Sequence, residues 1–76
     1  MTLSQFKNHI SHLAGCVNFV YNGYSCGVDP MGRAEYDMWC GDDVTTVNSV
    51  KEVLNVKFFA GKTLTEIWDD VTELDY

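Results

Sequence analysis

Positive charge is scarce in this chain. Five Lys and Arg stand against eleven Asp and Glu, leaving a formal net charge of −6 and an isoelectric point near 4.5. Direct binding to DNA, RNA or an anionic membrane is disfavoured, because each of those attracts cationic surfaces. Proline occurs once, and ten residues are aromatic; such a composition excludes a Pro-rich or disordered segment. No apolar run approaches the roughly 18 residues of a membrane span, and no basic-then-apolar leader opens the chain. The cysteines, Cys16, Cys26 and Cys40, are odd in number. Small secreted domains ordinarily carry paired sets, so the expectation is a cytoplasmic protein whose reduced thiols pack as small hydrophobes. The 76 residues are expected to form one domain, 1–76, with little interior for a deep catalytic cavity. No catalytic or cofactor signature is present.

Periodicity orders the elements. Thr2 and Gln5 make a capping-box pattern, Leu3, Phe6, Ile10 and Leu13 form one apolar stripe, and Gly15 is a suitable stop, so a helix is expected between them. The period then drops to two. Val17, Phe19 and Tyr21 alternate with polar positions. Asn22-Gly23 marks either a tight turn or a kink, and Tyr24, Cys26 and Val28 continue the alternation. Asp29-Pro30-Met31-Gly32 has type I turn chemistry. A strand is expected from about Arg33 to Cys40, with Ala34, Tyr36, Met38 and Cys40 on one face and Arg33, Glu35, Asp37 and Trp39 on the other. A five-residue loop would set Val28 against Ala34, Cys26 against Tyr36 and Tyr24 against Met38. Residues 44–48 read as either strand or loop. Ser49 and Glu52 open a short helix with Val50, Val53 and Leu54 inward. Residues 57–62 form a turn carrying Phe58 and Phe59. Thr63 and Glu66 open a last helix with Leu64, Ile67, Trp68, Val71 and Leu74 on one stripe. The expected fold is α+β: a small antiparallel sheet of two or three strands with helices on one face, in the order α-β-β(-β)-α-α.

Tests for chemistry return little. Gly61-Lys62-Thr63 invites a phosphate-loop reading, but Val56 stands where that motif needs glycine. His9, His12 and Cys16 are competent zinc ligands at helical spacing, yet Gly15 separates Cys16 from the helix and no close cysteine pair accompanies them. Asp42-Asp43 and Asp69-Asp70 lack EF-hand spacing. The expectation is therefore no enzyme activity, no metal and no cofactor.

The acidic residues are informative as a distribution. Residues 29–43 carry −4 and residues 63–76 carry −5 with no basic residue. On the expected last helix, Asp69, Asp70, Glu73 and Asp75 approach the C-terminal end, where the helix dipole disfavours negative charge. A local rule broken without evident gain is where function is expected.

The segment Phe58–Asp69, preceded by Ser49–Asn55 and by Tyr36-Asp37-Met38-Trp39, resembles a loose set of small, acidic, mostly uncharacterised proteins. They come from phages and mobile elements of low-GC Gram-positive bacteria. The shared features are apolar anchors and a Gly-Lys-Ser/Thr turn, over about the last 40 residues. By analogy of size and charge, the resemblance implies an anti-defence or anti-CRISPR type of inhibitor. The leading expectation is an acidic, non-enzymatic binding protein that occupies a basic nucleic-acid-binding surface of a host effector. Asp69, Asp70, Glu73 and Asp75 are its expected contacts, with Glu35, Asp37, Asp42 and Asp43 as a second patch and Trp39 and Tyr76 as aromatic anchors. The alternatives are a structural or homo-oligomeric accessory domain, and a small Cys/His metal protein or enzyme.

Overall fold

In the computed structural model, which describes residues 1–76, the chain begins as its local signals require. The Gln5 amide donates to Thr2 Oγ1 at 3.1 Å and the Thr2 amide to Gln5 Oε1 at 2.8 Å, closing both halves of the capping box. Helix α1 (Leu3–Ser11) buries Phe6 and Ile10. It ends before Gly15. Leu13 takes φ 54°, its N–H donates to the Ile10 carbonyl, and the Ala14 N–H donates to that of His9. These two bonds satisfy the Ile10 and His9 carbonyls, so the chain leaves the helix at Leu13 rather than at a glycine.

Strands β1 (Val17–Tyr21) and β2 (Tyr24–Gly32) pair as a hairpin with Val17 opposite Val28 and Tyr21 opposite Tyr24. Asn22 and Gly23 have φ of 53° and 81°, the doubly positive signature of a tight hairpin turn, so the dipeptide turns rather than kinks the chain. The expected turn at Asp29–Gly32 is absent. Strand β2 runs through it and pairs with β3 (Glu35–Cys40), placing Val28 opposite Met38, Cys26 opposite Cys40 and Pro30 opposite Tyr36. Proline is tolerated here because β1 begins at Val17, opposite Val28. The nitrogen of Pro30 therefore points past the end of that neighbour and no ladder bond is lost. The turn falls instead at Arg33-Ala34, after a register irregularity between Pro30 and Gly32. The register moves by an even number of residues, so the assigned faces survive: Cys26, Val28, Tyr36 and Met38 are buried together.

Residues 43–47 resolve as a strand, β4 (Asp43–Val47), paired to β3 across Gly41-Asp42. Ser49 caps α2 (Val50–Asn55) by accepting from the Glu52 amide, and Val53 and Leu54 turn inward. Thr63 and Glu66 make a full capping box at the start of α3 (Leu64–Ile67). The long last helix does not form. Past Ile67 the chain makes a single 3-10 turn (Trp68–Asp70), Val71 goes extended, and β5 (Thr72–Asp75) adds to the free edge of β1. Sheet pairing wins over helix continuation because the backbone of β1 offers bonds on that side. Val20 lies opposite Thr72, and the Thr72 hydroxyl donates to the Val20 carbonyl at 3.5 Å. Leu74 still packs on the core, so the apolar spacing was right and the helix was not.

The sheet therefore has five strands, not two or three, all antiparallel in the order β4-β3-β2-β1-β5. The chain order is α-β-β-β-β-α-α-β. The helices share one core with a single face of the sheet: Phe6, Ile10, Val53, Leu54, Leu64 and Ile67 meet Val17, Phe19, Val28, Met38 and Val47. Trp68 closes this core, its ring centroid 4.9 Å from that of Phe6 and 6.3 Å from that of Phe19.

Candidate functional site

Alternation along the strands puts the remaining residues on the sheet face the helices leave uncovered. The central row across it runs Val44, Trp39, Gly27, Asn18, Asp75, each opposite the next on the neighbouring strand. The indole of Trp39 lies on Gly27. A Cβ added at Gly27 would overlap the ring's Cζ2, Cε2 and Cη2 atoms, which accounts for a glycine in a central strand. Gly27 is buried and Trp39 half-buried, whereas Val44 stays 71% exposed. The adjacent row is Thr46, Asp37, Asp29. The Thr46 hydroxyl donates to Asp37 Oδ1 at 2.8 Å. Asp29 has no such donor in the structure, and it sits directly opposite Asp37. Two like charges in register across strands destabilise a sheet. An aromatic plate thus stands beside two facing carboxylates on an open surface.

The expected site residues divide among five places. Asp37 and Trp39 share the open face, and exposed Glu35 begins the same strand on the same alternation. Asp75 joins that face from β5, opposite Asn18. Asp42 and Asp43 lie at the β3–β4 turn, where they line a small cleft with Tyr24, Cys40 and Ala60. Asp69 and Asp70 are exposed on the 3-10 turn, and Glu73 takes φ 53° within β5. The row of carboxylates along one helix does not exist, and the argument from the helix dipole falls with it. Tyr76 turns to the helical side, its ring edge-on to His9 with centroids 5.8 Å apart.

Asp29, Asn18 and Gly27 were missed. In the sequence Asp29 reads as the first residue of a turn, and only the true register brings it opposite Asp37. A glycine inside an alternating strand was the available signal for close approach of another group.

The other motifs have local explanations. The Phe59 amide donates to the Lys62 carbonyl and the Lys62 amide to the Phe59 carbonyl, both at 3.0 Å. The Thr63 amide donates to Glu66 Oε1 at 2.9 Å. The Phe59, Lys62 and Thr63 amides are thus bonded within the chain, as a tight turn followed by a helix cap requires. His12 Nδ1 lies 2.7 Å from the Asn8 carbonyl, while His9 faces Tyr76 and Cys16 is exposed. No three His, Cys, Asp or Glu side chains converge as a metal site. No helix is long and apolar enough to cross a membrane.

No family model matches the chain, and comparison with curated proteins and with solved structures finds no relative.

Proposed function

We propose that the protein is a non-enzymatic binding module whose uncovered sheet face docks on a positively charged surface of another protein. The observation that carries this reading is the pairing of Trp39, laid flat on Gly27, with the facing carboxylates Asp29 and Asp37. Trp39 is half-buried, with part of its indole left in water on the uncovered face, and Trp with Arg dominates the energetics of protein interfaces. The opposed aspartates cost stability in the free protein. An Arg or Lys inserted between them would form charge-assisted hydrogen bonds and relieve their repulsion. The same arginine could stack on the neighbouring indole. A net charge of −6 steers such a partner inward and repels nucleic acid. The class of partner that fits best is a nucleic-acid-binding protein, whose basic groove this face would occupy in place of phosphates; inhibition of a host effector is the biological form of that reading.

The test is capture on the immobilised protein from a lysate of a low-GC Gram-positive bacterium. Wild type should retain a nucleic-acid-binding protein that salt or added polynucleotide releases. Asp29→Lys with Asp37→Lys should abolish retention while the variant still melts cooperatively, and Trp39→Ala should weaken it at least tenfold. Equal retention by the Lys variant would sink the reading and leave these carboxylates as a solubilising surface.

A further inference from the structure

Cys26 and Cys40 stand directly opposite each other on β2 and β3, with the Cys26 thiol donating to Cys40 Sγ at 3.1 Å. The Gly41 N–H donates to the Ser25 carbonyl. By the alternation of an antiparallel ladder, the adjacent Cys26–Cys40 pair is therefore non-hydrogen-bonded, the kind in which Cα atoms approach to about 4.5 Å. A disulfide spans Cα separations of about 4.4–6.8 Å. The two thiols differ in access. Cys26 is fully buried, whereas Cys40 is partly exposed and lines the cleft formed with Tyr24, Asp42, Asp43 and Ala60. Burial, with help from Cys40 itself, pushes the Cys26 thiol up to about 12, so at neutral pH it stays protonated. Cys40 is the thiol a small reagent meets first.

We propose that Cys26 and Cys40 form a dithiol site that closes to a cross-strand disulfide by exchange with a low-molecular-weight disulfide, and reopens with excess thiol. In the first step Cys40 loses its proton to water, and its sulfur attacks one sulfur of oxidised glutathione. A mixed disulfide forms and glutathione thiolate leaves, taking up a proton. In the second step Cys26 loses its proton to water, its thiolate attacks the Cys40 sulfur, and the remaining glutathione leaves as thiolate and takes up a proton. Because burial holds the Cys26 thiol protonated, this step is the slower one and quickens as pH rises. Two protein thiols are oxidised and one glutathione disulfide is reduced to two glutathione thiols. The bond fastens β3, next to the turn that carries Asp42 and Asp43, to the centre of the sheet.

The experiment uses the full chain carrying Cys16→Ser, which removes the competing exposed thiol. The folded protein is incubated with oxidised glutathione, acid-quenched, unfolded and alkylated. The intact mass should fall by two hydrogens, Cys26 and Cys40 should resist alkylation, and a digest should contain the peptides of both joined together. Excess reduced glutathione should reverse all three. The oxidised form should also unfold at higher urea than the reduced form. In the same background, Cys26→Ala should stop at the mixed disulfide and keep one glutathione on Cys40. The proposal is overturned if both cysteines remain fully alkylatable in the Cys16→Ser protein. A lasting glutathione adduct on Cys40 while Cys26 is present would overturn it too.

Discussion

Several residues here sit in conformations their side chains do not favour, and Ala60 is the plainest. It takes φ 54° ahead of Gly61 at φ 79°, in a two-residue turn closed by reciprocal bonds between Phe59 and Lys62. A left-handed alanine costs roughly 1 kcal/mol relative to residues that tolerate that region, whereas Asn-Gly is the preferred dipeptide for such a turn. Ala60→Asn should therefore stabilise the protein by about 0.5–1 kcal/mol, read as a higher urea midpoint at unchanged slope. An unchanged or lower midpoint would show that the Ala60 methyl makes a contact worth keeping. At the open face the same scale explains Gly27: with any side chain there, the Trp39 indole could not lie on the strand.

Among the elements, α3 is too short to hold itself and depends on its cap. At four residues it is below the length at which helix propagation repays nucleation. Its capping box must therefore carry a large share of its local order. The Thr63 amide, and after it the Thr63 hydroxyl, hold the Glu66 carboxyl below its ordinary range. The folded state thus favours the charged form. That contribution is fully present above the unfolded-state value and is lost as pH falls through the lower, folded value. Glu66→Gln keeps an acceptor oxygen but cannot titrate. Below the ordinary glutamate range, wild type should lose more stability on further acidification than Glu66→Gln, as followed by thermal melts across acidic buffers. Parallel curves would mean that the side-chain half of the box contributes nothing. The edge strand β5 shows another economy of elements: it is short and carries Glu73 at φ 53°, both features that discourage further strands from adding to it.

For the whole molecule, one aromatic joint decides whether helices and sheet stay together. Trp68 contacts Phe6 of α1 and Phe19 of β1 and is 9% exposed. Truncating such a residue costs about 3–5 kcal/mol, against a total stability of about 5–15 kcal/mol, towards whose lower end a chain of this size falls. Trp68→Ala should be largely unfolded at physiological temperature, which circular dichroism and a thermal melt would detect. A cooperative melt near that of wild type would mean that the covered face is held mainly by α1 and α2.

Local signals in the sequence marked Asn22-Gly23 as a turn or a kink, and pairing of β1 with β2 made it a turn. Such signals determined the capping residues of all three helices and which faces of β1, β2 and β3 are apolar. Each is set by residues within a few positions of one another, so the chain carries the information where it is used. The face carrying Asp37 and Trp39 was legible for the same reason, since side-chain direction in a strand follows from alternation alone. Two other outcomes came only from tertiary structure. Asp29-Pro30-Met31-Gly32 has turn chemistry, yet it extends because β3 is there to pair with it and β1 is too short to need a donor at position 30. Residues 71–74 have helical spacing, yet they extend because β1, some fifty positions earlier, offers a free edge. The opposition of Asp29 to Asp37 and of Cys26 to Cys40 depends on the first of these outcomes. Both follow from strand register, which is a property of two segments meeting and is written in neither one alone.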